Sequence, residues 1–153
     1  MVKMRATLQM LGTFSEREFE EIEDFCEEGG LPRTPWMQSE IHTIFVMRDS
    51  ENQIVATAKL EKNGQRHFIE DLVVRADLRG KGFGKEILSA IIDEAKKKKI
   101  NTVWAMARAH DLFKKSGFKP DNDRKLLEYI LQYCRNCEDY LGKCNPELLR
   151  IDL

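Results

Sequence analysis

The chain has 153 residues and a formal net charge of −1, with 42% hydrophobic and 33% charged residues. That length fits a single domain with one core, and the balance is that of an ordinary soluble globular protein. The near-zero charge gives no reason to expect nucleic acid as a partner. No apolar run is long enough for a membrane span, and no sustained apolar segment follows Lys3 and Arg5, so neither an anchor nor a signal peptide is expected. A reduced, cytoplasmic setting is the default.

Val2 to Leu11 reads as a strand, broken at Gly12. Ser15 caps a helix running to about Glu28; Glu18 completes a capping box, and Phe19, Ile22, Phe25 and Cys26 make one apolar face. Gly29 and Gly30 stop it, Leu31 to Pro35 is a loop, and Trp36 to His42 is expected as a short helix. His42 to Arg48 and Gln53 to Lys62 pair around the turn Asp49-Ser50-Glu51-Asn52. Asn63-Gly64 signals a hairpin into the next strand, Arg66 to Arg75. Lys85 to Lys99 is a helix with Ile87, Leu88, Ile91, Ile92 and Ala95 on its core face. A strand at Asn101 to Ala107 and a short helix at Ala109 to Ser116 follow. Arg124 to Tyr133 is either a strand or a helix, and the spacing of Leu126, Leu127, Ile130 and Leu131 favours a helix. Residues 121–153 are expected to extend beyond a core of about residues 1–120, and Asp139 to Leu153 to serve packing or dimerisation.

The most telling stretch is Arg79-Gly80-Lys81-Gly82-Phe83-Gly84, between the strand-like Ile69-Glu70-Asp71-Leu72-Val73-Val74 and the long helix. Glycines let backbone amides approach a ligand closely, and the helix that follows points its N-terminal amides and positive dipole end at the loop. Arg79, Lys81 and Lys85 add charge where a polyanion would lie. The glycines fall as G-x-G-x-G, not as the G-x-G-x-x-G of a dinucleotide site, and Glu86 after Lys85 breaks the Walker pattern. A glycine-rich turn without a ligand is the bland alternative.

Arg79-x-x-Gly82-x-Gly84 has the form [Q/R]-x-x-G-x-[G/A]. After a strand and opening a helix, it resembles the acetyl-CoA pyrophosphate loop of the GNAT superfamily of N-acetyltransferases. Ala109-His110-Asp111-Leu112-Phe113 and Gly117-Phe118 are similar to a second segment of that family, a short helix beside the cofactor that ends at a Gly-Phe turn. The resemblance runs from about Thr43 to Pro120. It implies an α/β fold with a central, mixed, mostly antiparallel sheet flanked by helices, and acetyl-CoA as cosubstrate. It also implies backbone contacts to the thioester and pantetheine from the strand Glu70 to Val74, with Leu72, Val73 and Val74 in the cofactor set. Gly80, Phe83 and Phe113 join Arg79, Lys81, Gly82, Gly84 and Lys85 as cofactor-binding candidates.

Direct acetyl transfer to an amine needs a polarised carbonyl, a route for the ammonium proton, an acceptor pocket and a proton for the leaving thiolate. Glu70 is the candidate general base, because partial burial beside Ile69 and Leu72 would raise its pKa. An exposed Glu70, or one paired with Arg66 or His67, is the alternative. Since neighbours on a strand face opposite ways, Asp71 is expected to serve the acceptor or support the site. Many relatives carry a tyrosine where Phe113 stands, so the thiolate proton would come from water, His110, Asp111 or a tail tyrosine such as Tyr129. The domain could alternatively bind acyl-CoA with little catalysis.

His67 to Val74, followed by Arg79-Gly80-Lys81-Gly82-Phe83-Gly84-Lys85, is also similar to eukaryotic glucosamine-6-phosphate N-acetyltransferases. That implies a small-molecule amine acceptor, a sugar phosphate, with Glu70 and Asp71 as the catalytic and sugar-binding acids, in a homodimer serving amino sugar metabolism. A protein or peptide acceptor is the alternative, and a basic cluster of Arg66, His67 and Arg108 would favour a phosphorylated one.

Other motifs read as structure. Lys96 to Lys99 is a solvated helix end favoured by the dipole. Cys134-x-x-Cys137-x6-Cys144 lacks a second C-x-x-C, and His42, His67 and His110 have no metal spacing, so no metal is expected. Trp36 and Trp104 read as packing anchors, with Trp36 in the region where relatives form the acceptor pocket.

Overall fold

The computed structural model describes residues 5–31, 40–135 and 146–153, with only the backbone of His42 and Tyr133. The elements run β1 (Thr7–Leu11), α1 (Glu16–Glu28), β2 (Glu40–Arg48), β3 (Ile54–Asn63), β4 (Arg66–Val74), α2 (Phe83–Lys97), β5 (Thr102–Ala107), α3 (His110–Lys115), β6 (Lys119–Pro120), α4 (Arg124–Cys134) and β7 (Glu147–Asp152). The described strands form one seven-stranded sheet of order β1-β2-β3-β4-β5-β7-β6. Only β4 and β5 pair in parallel; every other neighbour is antiparallel. The fold is the mixed, mostly antiparallel sheet with flanking helices that the sequence led us to expect.

Local chemistry explains most boundaries. The Ser15 hydroxyl accepts from the Glu18 amide at 3.1 Å and the Glu18 carboxylate accepts from the Ser15 amide at 3.1 Å, a reciprocal cap that starts α1. The Asp49 carboxylate accepts from the amides of Glu51 and Gln53, which closes the β2–β3 turn. Residues 40–42 belong to β2, so that part of the expected Trp36–His42 helix is strand; residues 36–39 lie outside the described residues. Alternation of Ile44, Phe45, Val46 and Met47 between two apolar clusters makes the segment a strand covered on both faces.

The two faces carry different helices. On one, α2 presents Ile87, Leu88, Ile91 and Ala95 to Phe45, Met47, Ala58, Leu60 and Ile69, with Phe113 and Phe118 in the same cluster. On the other, Ile22 and Cys26 of α1 cover Ile44, Val46 and Val73. There Leu126 and Ile130 of α4 also cover Phe68 and Leu148. The helical reading of Arg124 to Tyr133 is thus the right one, because its four-residue spacing puts both side chains on one seam.

The tail needs correction. Residues 147–152 are not peripheral: β7 pairs with β5 from Thr102↔Asp152 to Ala107↔Glu147 and lies between β5 and β6. Leu148 and Leu149 are buried. Without β7, the far edge of β5 would expose its backbone donors and acceptors. The two-residue β6 pairs with β7.

Candidate active site

The glycine loop and the start of α2 form the first part of the site. Gly80 and Gly82 have φ of 78° and 91°, a left-handed backbone that side chains disfavour, and a Cβ at either would meet open space. Conformation demands these two glycines. Gly84 is there for space: a Cβ would come within 3.1 Å of Leu112 and 3.5 Å of Val74. Gly82 caps α2 without any side-chain hydrogen bond to the helix amides. The first-turn amides are therefore not taken by a cap, and they carry the positive end of a 15-residue helix. Lys81 and Lys85 stand exposed beside them. These features fit a pyrophosphate.

Arg79 has a different role from that of a free cation. Its guanidinium donates to the carbonyls of Val74 (3.2 Å) and Gly29 (3.3 Å), tying the loop to the end of β4 and the end of α1. Arg108, just past β5, donates to the Gly30 carbonyl at 3.0 Å. Phe83 is buried in the core. Phe113 is buried as well, with its ring edge-on to Phe118 at 5.2 Å, so it packs and offers no proton.

The second part is an opening in the sheet. The parallel pairing of β4 with β5 spans only His67↔Val103 to Ile69↔Ala105, although β4 continues to Val74 and β5 to Ala107. From Glu70 to Val74, the β5 side of β4 has no strand partner among the described residues. Leu72 and Val74 pack toward the α2 cluster and Val73 toward α1. Any cofactor contact from these three would come through the backbone.

The third part is a bulge that the sequence did not reveal. Thr57 pairs with Val73 and Lys59 with Glu70, so β4 carries one residue more than β3 across this interval. Asp71 takes the irregularity with φ 52°. The expectation that Glu70 and Asp71 face opposite ways fails for this reason, since alternation holds only in an unbulged strand. Both carboxylates lie near Lys59: Asp71 accepts from its ammonium at 2.6 Å, and Glu70 is its cross-strand partner.

Around them is a buried polar strip. Thr57, Lys59 and Glu61 occupy alternate positions of β3 and are all at least nine-tenths buried, as is Glu70. Lys59 also pairs with Glu23 of α1 and lies 5.2 Å from the Phe19 ring centre. Burial opposes the charge on Lys59, but Asp71 and Glu23 more than offset it and raise its pKa. Burial first, then the neighbouring Glu61 and Asp71, push Glu70 well above the usual carboxylate value, against a smaller opposing pull from Lys59. Glu70 Oε1 and Thr57 Oγ1 have no hydrogen-bond partner among the described residues. Alternating polar residues on a strand ordinarily mark the solvent face. Their spacing was visible in the sequence; the helices that cover them were not.

Other expected pieces lie elsewhere. Arg66 sits at the start of β4, 3.8 Å from Asp123 and over the Trp104 ring, whereas Arg108 follows the far end of the parallel β5. Arg66, His67 and Arg108 do not form one basic cluster. Trp104 donates to Asp121 at 2.7 Å, as a packing anchor would. His110 Nδ1 lies 3.5 Å from Glu147 beside a hollow of about 300 Å³ lined by residues 108–112. Tyr129 is exposed on α4. Lys98 reaches Glu94 and Thr43 at the other end of α2 from the loop. No metal-ligand group occurs among the described residues; Cys137, Cys144 and Trp36 lie outside them. No described helix is long and apolar enough to cross a membrane.

The profile of the acetyltransferase (GNAT) family matches residues 8–118, which hold the glycine loop, the sheet opening and the bulge. The chain belongs to that family. GNAT acetyltransferases use acetyl-CoA. Among curated relatives, the chain is 26% identical over 114 residues to an uncharacterized N-acetyltransferase, ycf52, of Pyropia yezoensis, and likewise to that of Porphyra purpurea. These alignments span 67% of this chain and 66% of either relative. Two crystal structures share the GNAT fold. A GNAT-family acetyltransferase from Staphylococcus aureus Mu50 aligns with a TM-score of 0.68 at 14% identity, over 96% of this chain and 99% of that one. N-acetylglutamate synthase from Neisseria gonorrhoeae, complexed with coenzyme A and L-arginine, aligns with a TM-score of 0.69 at 17% identity, over 97% of this chain and 33% of that one.

Proposed function

We propose that this GNAT protein is an acetyl-CoA-dependent N-acetyltransferase that moves the acetyl group to a primary amine by direct attack. The observation that carries the reading is Glu70: a buried carboxyl with a raised pKa and a free oxygen, at the first β4 position beyond the parallel pairing. A base with its pKa nearer neutrality suits proton removal from an ammonium. Acetyl-CoA, when bound, supplies the thioester. The first-turn amides of α2 and the residues Gly80 to Lys85 would hold its pyrophosphate, and the unpaired β4 edge from Glu70 to Val74 its acyl arm. Glu70 takes the proton from the acceptor ammonium. The amine nitrogen then bonds to the carbonyl carbon as the carbon–sulfur bond breaks, the nitrogen gives its second proton to water, and the thiolate takes a proton from water or from His110. Asp71, held by Lys59, orients the acceptor and keeps Glu70 protonatable.

The finer acceptor reading, glucosamine 6-phosphate in a cytoplasmic homodimer, rests on the Ile69-Glu70-Asp71 string. The charges acting on Glu70 weigh against a phosphorylated acceptor, because two carboxylates face it against one ammonium already tied to Asp71 and Glu23. The test is free thiol release from acetyl-CoA with and without an amine, beside calorimetry of acetyl-CoA binding. Acceptor-dependent release supports the reading. Binding without release for any amine would leave an acyl-CoA-binding module.

A further inference from the structure

We propose that Thr57 is an acceptor-binding residue, whose hydroxyl takes a hydrogen bond from the acceptor nitrogen while that nitrogen is held at Glu70. The inference rests on the transferase reading above and adds a residue to it. Thr57 stands where an apolar side chain would fit. Its cross-strand neighbours are Val46 on β2 and Val73 on β4. Both valines belong to an apolar cluster with Ile22 and Cys26 of α1. Thr57 is fully buried there, yet its hydroxyl meets no partner among the described residues. A buried hydroxyl without a hydrogen bond lowers folding stability, and a valine would not. A ligand that supplies the missing bond explains the threonine.

A second unpartnered oxygen, Glu70 Oε1, lies on the same face. Thr57 and Lys59 are alternate residues of β3, and Lys59 is the cross-strand partner of Glu70, so Thr57 and Glu70 are diagonal neighbours. Such neighbours stand roughly 7–8 Å apart at Cα. One nitrogen with N–H···O bonds of about 2.9 Å to both would hold their oxygens about 5 Å apart, within reach of a threonine and a glutamate on that diagonal. A primary amine has the hydrogens for both. One passes to Glu70, another is held by Thr57 Oγ1, and the lone pair is left to face the carbonyl carbon. Lys59 does not stand in for the amine, because its ammonium is committed to Asp71 and Glu23. Since Thr57 is fully buried, acceptor binding has to part the side chains over this face. The two unmet oxygens ease that step, because binding gains hydrogen bonds that the closed face lacks.

The experiment uses Thr57→Val, which removes the hydroxyl and keeps the shape, and Thr57→Ser, which keeps the hydroxyl. Urea unfolding is measured without ligand, and thiol release from acetyl-CoA is measured with butylamine, putrescine, glucosamine 6-phosphate and a lysine-containing peptide. Thr57→Val is expected to unfold at higher urea than wild type. For each amine that wild type turns over, its acceptor KM should rise roughly three- to tenfold, the worth of one hydrogen bond. Calorimetry should find its acetyl-CoA affinity unchanged, and Thr57→Ser should keep the wild-type KM. An unchanged acceptor KM in Thr57→Val would overturn the inference and leave the transferase intact. So would a Thr57→Val protein that is less stable or does not fold, because the hydroxyl would then have its partner within the protein. Acetyl-CoA binding without thiol release by wild type from any of the four amines would overturn the transferase reading, and the inference with it.

Discussion

The two faces of this sheet are built on opposite terms. Beneath α2 the packing is apolar, with Leu60, Ile69, Ile87, Leu88 and Ile91 buried and Thr43 the exception at the helix end. On the opposite face, two central strands, β3 and β4, bury Thr57, Lys59, Glu61 and Glu70. Hydrophobic burial needs only area, whereas buried charge needs partners in the right places. The first face holds the molecule together. The second gives up some of that stability to keep a carboxyl protonatable at the mouth of the β4–β5 opening. The bulge at Asp71 is what lets two acids share it.

Substitutions that act on one face and spare the other test this contrast. The largest effect is expected from Glu70→Gln: turnover should fall roughly 100- to 1000-fold, while calorimetry finds acetyl-CoA affinity unchanged. Equal turnover in wild type and variant would remove Glu70 from catalysis. On the apolar face, Ile91→Ala should cost about 3 kcal/mol of unfolding free energy through the cavity it leaves. Urea denaturation would read this, and the acceptor KM of the surviving folded protein should not move.

Lys59→Met strips the shared partner from Glu23 and Asp71. Both acids are a fifth or more exposed, so the cost is held to about 2 kcal/mol. The loss should shrink at high salt, which screens the two partly exposed pairs. A cost that does not change between low and high salt would mean the lysine contributes packing alone.

The pH dependence of Glu70 has a defined sign. Its folded-state pKa is raised above 4.5, so the folded protein holds the proton more tightly than the unfolded chain. Its contribution to stability is therefore full below pH 4.5 and is lost as pH rises toward the folded value. The stability of wild type relative to Glu70→Gln should decline over that window while its turnover climbs. Parallel stability curves for the two proteins would contradict this. The smallest change is expected at Gly82→Ala, where a left-handed backbone costs about 1–2 kcal/mol; weaker acetyl-CoA binding, read by calorimetry, would accompany it.

Much was legible from local chemistry. The capping box at Ser15, the Asn-Gly hairpin and the glycine loop opening α2 are decided by residues within a few positions of each other. So is the helical seam of Leu126 and Ile130. The burial that raises the Glu70 pKa was also anticipated, from its apolar neighbours. Long-range pairing was not legible. Glu147 to Asp152 becomes an interior strand only because β5 presents an edge about 40 residues earlier in the chain, and nothing within the segment says so. The bulge depends on how β3 and β4 register, and Asp71 carries no local mark of a left-handed backbone. Lys59 and Glu61 look like solvent-facing residues until the fold buries them. Sequence by itself determined the family loop, the element order from β2 to α3 and the base candidate, because each rests on short-range chemistry. Only the tertiary structure decided which charges Glu70 faces, because that depends on which residues, distant in sequence, the fold brings within a few ångströms of it.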